Sequence, residues 1–563
     1  MKKTISVLLT VLMLFGLCSV AVSAAEADGL VITVANDTHY NSFDSVGTNN
    51  SVSADYAHVN TAGRLYYEAD AIFKAFLKEA AANESKYLFL VGDITETGTK
   101  DQVAEAVALL KNFEETTGKK VFVVPGNHDV LNNTKAQFMA DYAEFGYNEA
   151  LEKDTKSASY VVDLEDNYRL IAIDATTEKT GAHSIYAERL EWIAEQGEKA
   201  KADGKKLIAM HHQNFIDHMI LSSLVQPNGV VTAKNEAAVD VYAKAGIKYV
   251  FTGHTHDHDI AAVTASDGTV IYDAVTGSLG GYGTPYRVVT FGDNVKFETR
   301  RIEKIDVADL PKGISENALA LAASNFNEYQ KLVTDLSYAI TFNYYTQPDR
   351  LVSFLNIQDA DMKALVKKLA VKINEGINMP FNKADEVEAG KSIESLIKPY
   401  DLTIPETEYK NILELAVAIY QTHNLGDENL PGYSEEVVLV TRGLGAVLGY
   451  ALSDVTGEEY AKVLSFVAKL LGADIPVDFL VYAGDGITRF EGIEVLITTV
   501  VLPLVVEFTT DDAPADNNTV LPGYAELVEE EKELTFFEKL ANFFKMIFDA
   551  IRTAFTFLPF ASK

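Results

Sequence analysis

From Leu30 to Ile302 the chain alternates short β-branched and aromatic runs with stretches of helical periodicity. The runs read as strands are Leu30–Ala35, Tyr87–Val91, Lys120–Val124, Tyr168–Ile173, Lys206–Ala209, Lys248–Phe251, Thr269–Tyr272 and Arg287–Phe291. Helical patterns fall between them at Ala62–Ala82, Lys100–Thr117, Ala187–Ala202 and Ala237–Ala245. Strand-period runs feeding helix-period runs predict a layered α/β domain.

Five polar segments follow these runs: Asp37-Thr38-His39, Gly92-Asp93, Gly126-Asn127-His128-Asp129, His211 and Gly253-His254-Thr255-His256. In extended chain, residues i and i+2 point the same way, so Asp37 with His39, and His254 with His256, make ligand pairs. Asp93 follows its strand directly, with Gly92 permitting close backbone approach, and a carboxylate there can bridge two ions. The turn after Pro125 offers an amide oxygen, an imidazole and a carboxylate, of which only some can face one metal. His211 adds an imidazole beyond Met210. Oxygen and imidazole donors in one set predict a two-metal site suited to phosphoester hydrolysis. As structural residues, so many histidines and carboxylates at strand ends would be costly to bury unpaired.

In this order the segments resemble the blocks of the calcineurin-like metallophosphoesterases: D-x-H, G-D, G-N-H-D or G-N-H-E, a lone H, and G-H-x-H. The resemblance covers about Leu30 to Ile302. It implies a layered β-sandwich flanked by helices. It also implies one metal held by Asp37, His39, Asp93 and His256, and a second held by Asp93, Asn127, His211 and His254, with Asp93 bridging. Two divalent transition ions among Mn, Fe, Zn and Co are the implied cofactors, with a hydroxide between them attacking phosphorus. His128 matches the family's catalytic histidine, and Asp129 the acid that orients it. In many relatives a proline stands two positions after the fourth-block histidine, where this chain has Gln213 after His212. Both His211 and His212 are therefore candidates, with His211 favoured. His39 and the Gly-His-Thr-His block look most like the phosphodiesterase branches, with monoester hydrolysis as the alternative.

At 563 residues, 48% hydrophobic and 23% charged, the chain is globular in composition and long enough for two or three domains. Its formal charge of −33 repels polyanions, which argues against bulk nucleic acid and for a small phosphoester substrate whose charge is met locally by metal. Residues 1–24 have the layout of a secretory signal peptide: Met1-Lys2-Lys3, an apolar stretch from Val7 to Val22, and small residues around Ala24 and Ala25 where cleavage is expected. Cys18, the only cysteine, lies inside it, so the mature chain is expected to lack thiols and to bind metal through nitrogen and oxygen alone. A bacterial protein, secreted or held at the cell surface, is the expectation.

Residues 29–303 thus read as the metallophosphoesterase domain. From 313 to 509 the pattern is mostly α-helical, at Ala318–Thr334, Met362–Ile373, Tyr409–Tyr420, Glu435–Leu452 and Glu459–Leu471. The apolar run Val495–Val506 is too short to span a bilayer and contains Pro503, so it reads as buried core. Residues 510–533 read as a linker. Residues 534–563 read as a C-terminal amphipathic helix with a stripe of Phe536, Phe537, Leu540, Phe543 and Phe544, suited to a membrane interface, a partner or the protein's own core. His58, His183, His218, His258 and His423 lack a partner pattern and read as surface or loop residues. A different class, a cell-surface binding protein using this fold as a scaffold, is the alternative function.

Overall fold

The computed structural model describes residues 29–45, 63–176, 187–218, 229–355, 357–382, 391–398, 402–426, 434–452 and 514–524, with short stretches at 430, 455–459, 461–463, 505–506 and 509–510. The expected signal peptide, the C-terminal amphipathic helix, His58, His183 and most of Val495–Val506 lie outside the described residues.

The strands are β1 (Leu30–Ala35), β2 (Tyr87–Val91), β3 (Lys120–Val124), β4 (Glu152–Lys153), β5 (Tyr160–Asp163), β6 (Tyr168–Ala172) and β7 (Lys206–Met210). They continue as β8 (Ile247–Thr252), β9 (Asp259–Thr264), β10 (Val270–Val275), β11 (Pro285–Phe291), β12 (Asn294–Arg301) and β13 (Asn518–Pro522). The principal helices are α1 (Ala69–Ala82), α2 (Lys100–Thr117), α3 (Ala187–Ala202), α4 (Ala237–Ala245), α5 (Phe326–Tyr345), α6 (Ala360–Ile377), α7 (Ile412–Leu425) and α8 (Glu435–Leu452).

One sheet runs β13-β12-β11-β1-β2-β3 and the other β4-β5-β6-β7-β8-β10-β9. The expected sandwich flanked by helices is present. β1, β2 and β3 are parallel, as are β6, β7, β8 and β10, so each sheet gathers its loops at one end. Such strands are buried on both faces, which explains their mostly apolar character. Ile208 and Met210 of β7 enter the core with Phe89 and Phe251, whereas Leu207 and Ala209 pack with Ile193 of α3 and Tyr242 of α4. This alternation decides which way the residues beyond β7 point.

Three expectations about organisation change. The core of the sandwich does not end near residue 303: Ala318, Ala322, Phe326, Tyr329 and Val333 belong to it, so the start of the helical region is built onto the sheet. The helix expected over Ala318–Thr334 breaks at Asn325, whose side chain accepts from Glu328 N at 3.2 Å and caps α5. The expected linker contains β13, an edge strand antiparallel to β12 with Leu521 opposite Val295. Farther out, Phe381, Leu415 and Val447 centre a separate helical core. No helix among the described residues is long and apolar enough to cross a membrane.

Candidate metal centre

The loops after β1, β2, β3, β7 and β8 converge. Asp37 N donates to Gly92 O at 3.1 Å and His39 N to Asp93 O at 2.9 Å, so the first two loops run side by side beyond their strands. Their close approach depends on glycine. A Cβ on Gly92, at φ +81°, would lie 2.5 Å from His212 Nδ1, and one on Gly126 would lie 2.1 Å from Asp93 Oδ1. Asp37, His39, Asp93, His254 and His256 all hold positive φ, between +42° and +73°. Clustered strain of this kind in non-glycine residues marks a site that its surroundings hold in shape.

Two groups of donors result. In the first, His39 Nε2, His256 Nε2 and Asp37 Oδ1 are 3.2, 3.4 and 3.7 Å from one another. Donors at about 2.0–2.2 Å from a shared ion stand roughly 3–3.6 Å apart, so the spacing fits one cation. In the second, Asp93, His212 and His254 come together, with His212 Nε2 3.1 Å from Asp93 Oδ2. Asn127 Oδ1 lies 3.0 Å from His254 Nδ1, at the edge of that group. Asp37 Oδ1 also lies 3.8 Å from His212 Nε2, so the two groups adjoin.

Whether these residues suit metal is decided by their unpaired atoms. Asp37 Oδ1 and His212 Nε2 are buried without a hydrogen bond. His212 Nδ1 is 2.9 Å from Val91 O, which can only accept, so Nδ1 carries a proton and Nε2 is the atom turned toward Asp93 and Asp37. Burial acts against charge on Asp37 and Asp93, yet His212, with His256 and His128 respectively, holds both carboxyls below their usual range. Burial likewise opposes charge on His212, but Asp93 and Asp37 push it up to about 10. A buried place that draws positive charge this strongly, lined by oxygen and imidazole donors, fits divalent transition ions.

The structure brings Asp37, His39, Asp93, Asn127, His254 and His256 into this cluster and leaves His211 out. His211 continues the outward face of β7, its ring 6.1 Å from Tyr242 and 6.2 Å from Phe215 by centroid, and its Nδ1 is 2.6 Å from Gln213 O. Strand alternation therefore transfers the expected ligand position from His211 to His212. The role expected of Asp129 changes as well. His128 Nδ1 is held by Glu96 O at 2.6 Å, while the Asp129 carboxylate accepts from the backbone N–H groups of Ile94, Thr95 and Gly126. Asp129 fixes the loops around Asp93, and the Glu96 carbonyl orients His128. Burial, followed by the Asp93 charge, pushes Asp129 up to about 6.

Glu96 and Arg64 were not anticipated. The Arg64 guanidinium donates to both Glu96 oxygens at 2.6 and 2.9 Å, and Glu96 Oε2 lies 3.1 Å from His39 Nδ1, off the line of a hydrogen bond. His39 Nε2 is thereby left for the first group. A third set of donors, His39, Glu96 and His128, lies beside it. An acid three residues after Asp93 was the available sequence signal; Arg64 gave none.

The side chains of the other described histidines are buried rather than superficial. His218 sits between Asp259 and Asp273 at 2.7 and 2.8 Å; burial opposes its charge, but the two carboxylates raise it well above its ordinary range. His258 accepts from Gly277 N at 3.1 Å and is kept neutral by burial and by Arg287. His423 is also buried, at the end of α7.

Residues 30–258 match the calcineurin-like phosphoesterase family. A protein of Arcobacter nitrofigilis, described as a probable glycerophosphodiester phosphodiesterase GpdQ, is 27% identical over 181 residues. That match covers 31% of this chain and 61% of the relative's length. Among solved structures, a dimetal phosphatase from Danio rerio aligns with TM-score 0.37 at 12% identity, over 49% of this chain and 97% of that one. A purple acid phosphatase from yellow lupin seeds aligns with TM-score 0.32 at 9% identity, over 49% of this chain and 52% of its own.

Proposed function

We propose that this chain is a metal-dependent phosphoesterase acting on phosphodiesters outside the cytoplasm. One observation carries the reading: the donors Asp37, His39 and His256 adjoin Asp93, His212 and His254, with neighbouring oxygen and imidazole atoms 3.1–3.8 Å apart. Asp37, His39, Asp93 and His256 would hold one divalent ion, and Asp93, Asn127, His212 and His254 the other. When bound, two such ions supply positive charge for a phosphate and a strongly acidified water as nucleophile.

The protein's own groups then have definite tasks. Asp37 and Asp93 offset part of the cation charge and, being buried, exclude solvent from the floor of the site. Asn127, His128, His254 and His256 are only partly buried, so substrate reaches the site from their side. His128 is locked at Nδ1, which leaves Nε2 to pass a proton to the departing oxygen. The diester preference is supported by the Arcobacter relative, and export by the signal-like residues 1–24.

The test is hydrolysis of bis(p-nitrophenyl) phosphate, p-nitrophenyl phosphate and a glycerophosphodiester by the purified protein reconstituted with Mn²⁺ or Zn²⁺. Metal-dependent cleavage, faster on the diesters and abolished by Asp93→Asn, is expected. Inactivity on all three, with no bound metal, would replace this reading with the scaffold alternative.

A further inference from the structure

The end of α7 grips the loop that carries His256, and we propose that the helical region is a working part of the metal site, with Asn424 as a positioning residue for His256. The inference rests on His256 being a metal ligand.

His254 and His256 stand at φ +73° and +67°. Left-handed backbone costs a histidine roughly 1–2 kcal/mol per residue and persists only where neighbours enforce it. Around His256 that enforcement comes from α7. Asn424 Nδ2 donates to His256 O at 3.1 Å, and His258 N donates to His423 O at 2.7 Å. The two bonds fall on either side of Asp257, so both ends of the turn leaving His256 are tied to the helix. The direction of the imidazole follows from that backbone.

The grip is directional. The His256 carbonyl can only accept, so the Asn424 amide must present Nδ2 to it and Oδ1 to the other side. There Oδ1 accepts from the Tyr338 hydroxyl of α5 at 3.2 Å. Asn424 is buried, so its amide orientation is set by these two partners and not by water. Tyr338 in turn packs on Gly63, where a Cβ would lie 2.2 Å from the ring. Gly63 adjoins Arg64, the partner of Glu96. Gly426, at φ +70°, ends α7 so close to the loop that a Cβ would lie 2.6 Å from His258 O. Helices α5 and α7 therefore touch both the His256 loop and the segment supporting His39.

The test titrates Mn²⁺ by calorimetry into the metal-free full chain, as wild type, Asn424→Ala and Tyr338→Phe, and follows bis(p-nitrophenyl) phosphate hydrolysis against Mn²⁺ concentration. Asn424→Ala is expected to weaken one of two Mn²⁺ binding events by about 10- to 100-fold, as loss of an outer partner does, while the other is unchanged. Activity should return at saturating Mn²⁺, and Tyr338→Phe should show the same pattern more weakly. Wild-type Mn²⁺ affinities in both variants would overturn the proposal and leave the metal reading standing. Wild-type protein that binds no Mn²⁺ would overturn the metal reading itself, and this inference with it. If Asn424→Ala does not fold, Tyr338→Phe, which removes one oxygen, decides the matter.

Discussion

His212 Nε2 stands 3.1 Å from Asp93 Oδ2. His211, one residue earlier, faces Tyr242 on the opposite side of the chain leaving β7. The two histidines should therefore fail differently. His212→Ala is expected to lose one metal equivalent and to reduce kcat/KM by at least the roughly 100-fold that outer-partner losses can reach. His211→Ala should keep both equivalents and lose about 2 kcal/mol of stability through its cavity. Metal content and thermal unfolding, measured side by side, separate the cases; the reverse pattern would restore His211 as the ligand.

The Arg64–Glu96 pair bears on His39. Both partners are buried, so removing the guanidinium leaves Glu96 with less compensation, and such breaks cost about 3–5 kcal/mol. Arg64→Met is expected to lower stability by that order. Glu96→Gln keeps the shape but removes the charge facing His39 Nδ1, and should weaken metal binding by about tenfold. Urea unfolding and a metal titration report the two effects, and a Glu96→Gln variant with unaltered metal affinity would restrict Glu96 to a structural role.

Gly126 offers a geometric prediction. The Cβ of Gly126→Ala would sit 2.1 Å from Asp93 Oδ1 and 2.2 Å from Asp93 N, so the carboxylate must move. Overpacking costs about 1–3 kcal/mol, which a domain of this size can survive. The expected variant is folded by circular dichroism but holds less than the wild-type metal complement. Full metal occupancy would show that Asp93 is not held as tightly as the contact implies.

Most of the strands and the loops that converge on the candidate site were legible because the signal is local: β1, β2 and β3 are mostly apolar runs, and Asp37, Asp93 and Asn127 follow within a few residues. The choice between His211 and His212 was not legible, because both faces of β7 are apolar and buried, so composition does not reveal which face is inward. β13 escaped because five residues after an Asp- and Asn-rich stretch become a strand only by pairing with β12, more than two hundred positions earlier. Arg64 and Asn424 reach the site through tertiary contacts alone, and no spacing in the sequence records them.

Stability at the junction between sandwich and helices is expected to depend on pH through Glu68. It is fully buried just ahead of α1, and Tyr329 of α5 donates to its Oε1 at 2.5 Å. Burial pushes its carboxyl from the ordinary 4.5 to about 7, although the Tyr329 bond works the other way. Between these values the folded chain holds a proton that the unfolded chain has released. Stability contributed by this group is thus present below pH 4.5 and is lost as the pH rises through about 7. At about 1.4 kcal/mol per pH unit the full loss is about 3 kcal/mol. Glu68→Gln, which mimics the protonated form, should unfold like wild type at pH 5 and resist urea better than wild type at pH 8. An equal difference at both pH values would mean that Glu68 is charged in the folded protein throughout.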